Sequence, residues 1–205
     1  MPIQFFYFDL GKVLVNFDIK QMCRQVADAA GTTAERVAQV LFEEHLQRDF
    51  ELGHLDEREF YEAFCRKTNT RADYQQLAVA ASDFFELNVP VVPLVASLQL
   101  SGRRLGILSN TCSFHWEHCR SRFRIVADAF AVHTLSYEVG VAKPGPEIFE
   151  LAAQRAGFPP SEIFFVDDIQ ENVSGARAAG FDAVLYTSAG QLAADLRTRG
   201  ISLHC

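Results

Sequence analysis

The sequence has no CxxC pair, no basic cluster, no unbroken apolar run of membrane-spanning length and no internal repeat. Each absence removes a class of protein. The five cysteines, Cys23, Cys65, Cys112, Cys119 and Cys205, are odd in number and scattered. That suits a reducing compartment better than a disulfide framework. The 19 Lys and Arg against 26 Asp and Glu give a net charge of −7 and a pI near 5.3. A duplex nucleic-acid partner, which needs a basic surface, is therefore not expected. The longest apolar stretch, residues 87–100, is interrupted by Pro90 and Pro93 and is shorter than the roughly 20 residues of a bilayer span. The opening MPIQFFYFD has neither a basic segment nor a long apolar one, so no secretory signal is expected and the expected location is cytoplasmic. Nothing in the sequence indicates an oligomeric state.

What is present is an ordinary globular composition, with 49% hydrophobic and 22% charged residues in a chain of 205. That is enough for one good core with a modest insert. Apolar β-type runs at residues 3–8, 104–108, 129–133, 162–166 and 183–186 alternate, beyond residue 88, with helical patterns near 91–101, 113–122, 146–157, 170–179 and 190–199. Such alternation predicts an α/β fold, a Rossmann-like parallel sheet with helices on both faces. The 95 residues or so between the first two runs are not loop. Cys23, Val26, Ala27 and Ala30 recur at helical spacing. Thr32 to Glu35 and Asp56 to Glu59 both have capping-box spacing, and Leu55 and Phe60 are placed as a staple. Tyr74, Leu77, Ala78, Ala81 and Phe85 form a fourth stripe. The predicted division is an α/β core of residues 1–15 and 89–205 with an inserted four-helix unit at 16–88.

Four polar signals carry chemistry. Asp9 follows FFYF, Ser109 follows LGIL, Asp167-Asp168 follow IFFV, and Lys143 sits in GVAKPGPEIF ahead of a helix. Singly, each has an ordinary explanation: a turn-forming acid, a backbone-bonding serine, helix-capping acids and a solvated lysine. Together they fall at the carboxyl ends of the strands of an open parallel sheet, where ligands bind. The residue types specify a phosphoryl site. Asp9 and Asp168 offer hard oxygen ligands to Mg2+, with Asp167 as an outer partner. The other Asp9 oxygen can attack phosphorus and form an aspartyl phosphate. The Ser109 hydroxyl and the Asn110 backbone N–H can hold phosphate oxygens, and Lys143 offsets the clustered negative charge.

In order, FDLGKVL, LSNT, GVAKPGPEIF and FFVDDIQENVSGARAAG resemble the four motifs of the haloacid dehalogenase superfamily, and the helical insert resembles its C1 cap. FDLG, FELGHLDEREF and VDDIQENV resemble most its bacterial sugar-phosphate phosphatases, which act on substrates such as glucose 1-phosphate and neighbour the phosphatase domain of soluble epoxide hydrolase. The resemblance implies a Mg2+-dependent phosphatase of a small phosphorylated metabolite. Asp9 would be nucleophile and metal ligand, Ser109 and Lys143 the phosphate-holding pair, and Asp168 the direct metal carboxylate.

It also exposes a departure. The family places a second Asp two residues after the nucleophile, giving a main-chain carbonyl to magnesium and a carboxylate to acid–base work. Here that position is Gly11, which keeps the first role and loses the second. Acid–base help is worth about 10²–10⁴-fold, so activated phosphates, sugar 1-phosphates first, are the expected substrates. His115, one to two helical turns from Ser109, is the candidate replacement acid; Cys112, His115 and Cys119 share its face, but their spacing matches no usual zinc motif. The turn Glu51-Leu52-Gly53-His54 is where substrate selection would be sought. Two other readings stand beside the phosphatase: a 2-haloacid dehalogenase, which also lacks the second Asp but needs no magnesium, and a non-catalytic phosphometabolite-binding protein.

Overall fold

The computed structural model describes residues 2–203, so Cys205 lies outside the described residues. In chain order the elements are β1 (Phe5–Phe8), β2 (Val15–Phe17), α1 (Ile19–Ala30), α2 (Ala34–Ala38), α3 (Leu46–Glu51), α4 (Glu57–Thr68), α5 (Tyr74–Ala80), β3 (Phe85–Leu87), α6 (Val92–Leu100) and β4 (Arg104–Ser109). The chain continues through α7 (Ser113–Arg122), α8 (Arg124–Asp128), β5 (Val132–Leu135), α9 (Ser136–Val139), α10 (Pro146–Ala156), β6 (Ile163–Asp167), α11 (Gln170–Ala178), β7 (Asp182–Leu185) and α12 (Ala189–Thr198).

Five strands form one parallel sheet in the order β5-β4-β1-β6-β7. The aromatic run FFYF makes β1 its centre because both faces are covered: Phe6 and Phe8 enter one apolar cluster, Phe5 and Tyr7 the other. A strand buried on both sides reads as a continuous apolar run, not an alternating one. The one polar tip is satisfied, since the Tyr7 hydroxyl donates to the Ala152 carbonyl at 2.9 Å. Connections from β1 lead to β4 on one side and from β4's side of the sheet to β6 on the other. The carboxyl ends of β1, β4 and β6 therefore surround a topological switch point, the usual ligand crevice of such sheets.

Between β1 and α6 a second apolar cluster forms, built from residues such as Met22, Val26, Val40, Phe50, Phe64 and Leu77 together with Cys112. Here the structure departs from the predicted four helices. It has α1 to α5, and α2 runs into a π-helical turn at Gln39–Glu43. A two-stranded antiparallel ribbon, β2 with β3, forms the neck, pairing Val15 with Leu87 and Phe17 with Phe85. Phe85 thus belongs to a strand and not to the helical stripe; α5 ends at Ala80, before the aromatic pair Phe84-Phe85 whose extended pairing suits it better than a helix. Asp56 and Glu59 do form a capping box at α4. At α2 the cap is Thr33 and not Thr32, its hydroxyl accepting from Arg36 N at 3.2 Å. Strand β5 begins at Val132, later than predicted, because residues 129–131 form the bend between α8, which ends at Asp128, and the strand. No helix of the described residues is long and apolar enough to cross a membrane.

Candidate active site

At the switch point, β1 ends at Phe8 and delivers Asp9, β4 ends with Ser109, and β6 ends with Asp167. The loop before α10 brings Lys143 to the same place. The Lys143 ammonium is buried and donates to Asp167 Oδ2 at 2.6 Å, to Asp9 Oδ1 at 2.9 Å and to the Leu108 carbonyl at 2.9 Å. An ammonium has three protons, so these three acceptors use all of them. Lys143 therefore faces a phosphate as a fixed positive charge, and a direct bond to one would exchange for the bond to Asp9. Its own backbone is clamped by Asn110, whose side chain donates to the Lys143 carbonyl and accepts from its N–H, both at 2.9 Å.

Asp167, fully buried, is spent on structure. Its oxygens accept from Lys143, from Ile169 N at 2.8 Å and from Asn172 Nδ2 at 3.1 Å. Asn172, in the first turn of α11, was not singled out from sequence, and its position five residues after a strand-end acid is the signal that marks it. Asp9 is different. Oδ1 takes both the Leu10 N–H at 2.7 Å and Lys143, whereas Oδ2 takes no hydrogen bond among the described residues. Burial, with Asp167 and Asp168 adding like charge, drives the Asp9 carboxyl above its ordinary range against the opposing pull of Lys143. Burial and Asp167 likewise raise half-buried Asp168. On Lys143 burial works downward, but Asp9 and Asp167 outweigh it and hold the ammonium charged.

The ligand atoms of Asp9, Asp167 and Asp168 lie within 4.8 Å of one another. Three carboxylates against the Lys143 ammonium leave the cluster negative in formal charge, and the nearby Lys12, whose ammonium donates to the Phe17 carbonyl, eases the charge on Asp168 only in part. A hard divalent cation fits this donor set and this charge. The Gly11 carbonyl accepts from Val13 N at 2.7 Å and has a second lone pair to offer.

Gly11 is also a matter of space. A Cβ built there would stand 2.9 Å from Phe17 Cε1. The Phe17 ring, packed on Phe85 with centroids 5.7 Å apart and under the Lys12 ammonium, fills the volume a larger residue would need. Beside it is a cavity of about 100 Å³, with Gly11, Ser109 and Asn110 on the sheet side and Phe17, Phe42, Phe84, Phe85 and Glu51 on the other. The candidate acid His115 lines it too, but the structure corrects its role. Burial lowers its pKa to about 4, and its ring packs edge-on against Phe84 and Phe85, so it is neutral at pH 7. Burial also pushes the Cys112 and Cys119 thiols up, Cys119 to about 12, as for neutral thiols packed in apolar surroundings.

A family description, haloacid dehalogenase-like hydrolase, matches residues 6–180. The chain belongs to this family. Among its relatives is the D-ribitol-5-phosphate phosphatase of Bacteroides thetaiotaomicron, 26% identical over 182 residues, which are 85% of this chain and 87% of that one. A haloacid-dehalogenase-family enzyme of the same organism superposes with a TM-score of 0.82 at 25% identity, over 92% of this chain and 95% of that chain. A further structure of that enzyme, an aspartate-to-alanine mutant holding magnesium and inorganic phosphate, superposes at 0.79 with 26% identity, over 91% and 95%. The L-2-haloacid dehalogenase of Xanthobacter autotrophicus, at 20% identity and a TM-score of 0.66 over 96% of this chain and 83% of that one, shares the fold. This haloacid dehalogenase-like chain spans less than two thirds of several curated relatives, 13%, 60% and 33% of three of them.

Proposed function

We propose that this protein is a magnesium-dependent phosphatase that hydrolyses a small phosphorylated metabolite through an aspartyl phosphate on Asp9. One observation carries the reading: Asp9 has one carboxyl oxygen pinned by Lys143 and Leu10 N and the other left without a hydrogen-bond partner among the described residues, inside a cluster of three acids. A nucleophile needs such a free, oriented oxygen, and pinning the first aims the second. Asp9 and Asp168, with the Gly11 carbonyl, would hold Mg2+, and Asp167 would orient Lys143. Bound there, magnesium would neutralise the phosphoryl oxygens as a Lewis acid. Ser109 and the Asn110 backbone would hold the phosphate, and Lys143 would stabilise its charge at fixed distance. The acid pair speaks for this over dehalogenation, which has no use for a cation.

Residues 16–88 act in this proposal as a cap over the remaining α/β core, hinged at the β2–β3 ribbon, and cap closure would exclude water during transfer. Sugar phosphates are the proposed substrates; were position 11 the reaction's sole source of acid, its glycine would favour sugar 1-phosphates, whose hemiacetal oxygen leaves with less help than an alkoxide. The four described cysteines are all free, in keeping with a cytoplasmic setting. The test is phosphate release from a panel of phosphorylated metabolites with Mg2+, with and without excess chelator, beside trapping of a phosphoryl or beryllium fluoride adduct on Asp9. Turnover that survives the chelator overturns the metal assignment. Phosphate binding with no turnover and no adduct would instead leave a non-catalytic binding protein.

A further inference from the structure

Glu51 is the one acid lining the cavity beside Ser109 and Gly11, and nothing in the acid cluster accounts for it. It is the last residue of α3, and the turn that follows is fastened to the main body twice. The Ser136 hydroxyl accepts from the Thr111 N–H at 3.0 Å and donates its one proton to the Glu51 carbonyl at 2.5 Å, with the Thr111 carbonyl at 3.1 Å as the competing acceptor. One buried serine thus ties the backbone of Glu51 to the segment that begins with Ser109. Two residues on, Gly53 has a φ of +68° and lies so close to the Tyr137 carbonyl that a Cβ would overlap it. Only glycine permits both that backbone conformation and that approach. Within α3, Gln47 Nε2 donates to Glu51 Oε1 at 2.9 Å, and Oε2 takes no hydrogen bond among the described residues.

Glu51 thus brings a carboxyl to the wall of a cavity whose sheet side lacks one at position 11. Gly11 brings no acid, the Phe17 ring occupies the room one would need, and His115 is neutral. We propose that Glu51 is the proton donor and acceptor of this phosphatase, a catalytic residue carried by the helical insert instead of by the sheet. The assignment rests on the phosphatase reading above and adds the source of its proton. Burial among the aromatic walls raises the Glu51 carboxyl above its ordinary range, the direction a general acid needs.

In the first step Asp9 Oδ2 bonds to phosphorus, the bond from phosphorus to the leaving oxygen breaks, and that oxygen takes the Glu51 proton. The alcohol departs and Glu51 is left as a carboxylate. In the second step a water oxygen bonds to phosphorus, Glu51 takes the proton that water loses, and the bond to Asp9 breaks. Phosphate leaves, and both carboxyl groups return to their starting states.

Glu51→Gln keeps shape and the bond from Gln47's position while removing the transferable proton. With Mg2+ present, kcat/KM for alkyl phosphates should fall about 10²–10⁴-fold, while kcat/KM for 4-nitrophenyl phosphate, whose leaving group needs no proton, should change less than about tenfold. The variant should also release 4-nitrophenol in a burst equal to the enzyme present, because hydrolysis of the aspartyl phosphate has lost its base. An equal fall for both ester classes, or no fall for either, in an active protein overturns the Glu51 assignment alone. Wild-type protein inactive on every ester overturns the phosphatase reading and this assignment with it. If thermal melting shows the variant unfolded, the wild-type dependence on leaving-group pKa decides: a shallow slope supports Glu51, and a steep one overturns it.

Discussion

Across the cavity, the sheet side and the insert side differ in how their side chains are held. On the sheet side Asp9, Lys143, Asp167 and Asn172 satisfy one another within a few ångströms and almost out of water. Removing one leaves a buried charge behind. On the insert side the wall is aromatic, its rings 4.3 to 6.3 Å apart among Phe17, Phe84 and Phe85, and its single acid answers to a backbone fastening. Position and charge are rigid on one side; shape and access are set on the other. A phosphatase of this architecture would keep its phosphoryl chemistry on the first wall and vary its substrate and proton delivery on the second.

That contrast can be broken by mutation, most severely at the nucleophile. Asp9→Asn should lower phosphate release by about 10⁴-fold or more, as loss of a covalent catalyst does, with circular dichroism unchanged. Next comes Lys143→Met, which leaves Asp9 and Asp167 facing each other without their cation; urea unfolding should show a loss of roughly 3–5 kcal/mol. Where α7 meets the aromatic wall, His115 predicts an acid-sensitive stability. Its folded pKa, about 4, lies below the unfolded value of ~6.5, so the unfolded state binds more protons in between. Stability is full above about pH 6.5 and falls as pH drops toward 4, by up to about 3 kcal/mol. His115→Leu should flatten that limb in melts taken across the range.

A sharper comparison is made at the seam. Gly11→Asp, the obvious way to restore an acid, should not simply raise activity, because its Cβ meets the Phe17 ring. Overpacking of this kind costs about 1–3 kcal/mol. Pairing it with Phe17→Ala should recover part of that loss in a double-mutant cycle, and additive losses would show that the ring moves freely. The smallest effect is expected at the α4 cap, where Asp56→Ala removes one half of the capping box at about 1 kcal/mol and leaves kcat unchanged.

Much of the sheet side was legible from residues alone. An apolar strand followed by a polar residue, met three times in order as Asp9, Ser109 and Asp167 with Lys143 before the last, places polar groups at one sheet edge whatever the loops do. Asn172 was overlooked because an amide in a first helical turn looks like solvated surface until Asp167 is seen beside it. The insert was legible as helical, but its neck was not: Phe84-Phe85 fits a helical stripe as well as a strand until Val15 to Phe17 arrives to pair with it. His115 looked like an acid in one dimension and proved neutral because two phenyl rings, both distant in sequence, take its water away.

By itself the sequence determined the α/β order, the strand-end acids and lysine, and the absence of a carboxyl at position 11, since periodicity and residue type act over a few neighbours. Only the tertiary structure decided that Phe17 fills the space beside Gly11, that His115 stays uncharged and that Ser136 fastens the Glu51 backbone to Thr111. Those facts depend on desolvation and on contacts between segments that, for Glu51 and Ser136, are 85 residues apart, and neither can be read from a local pattern.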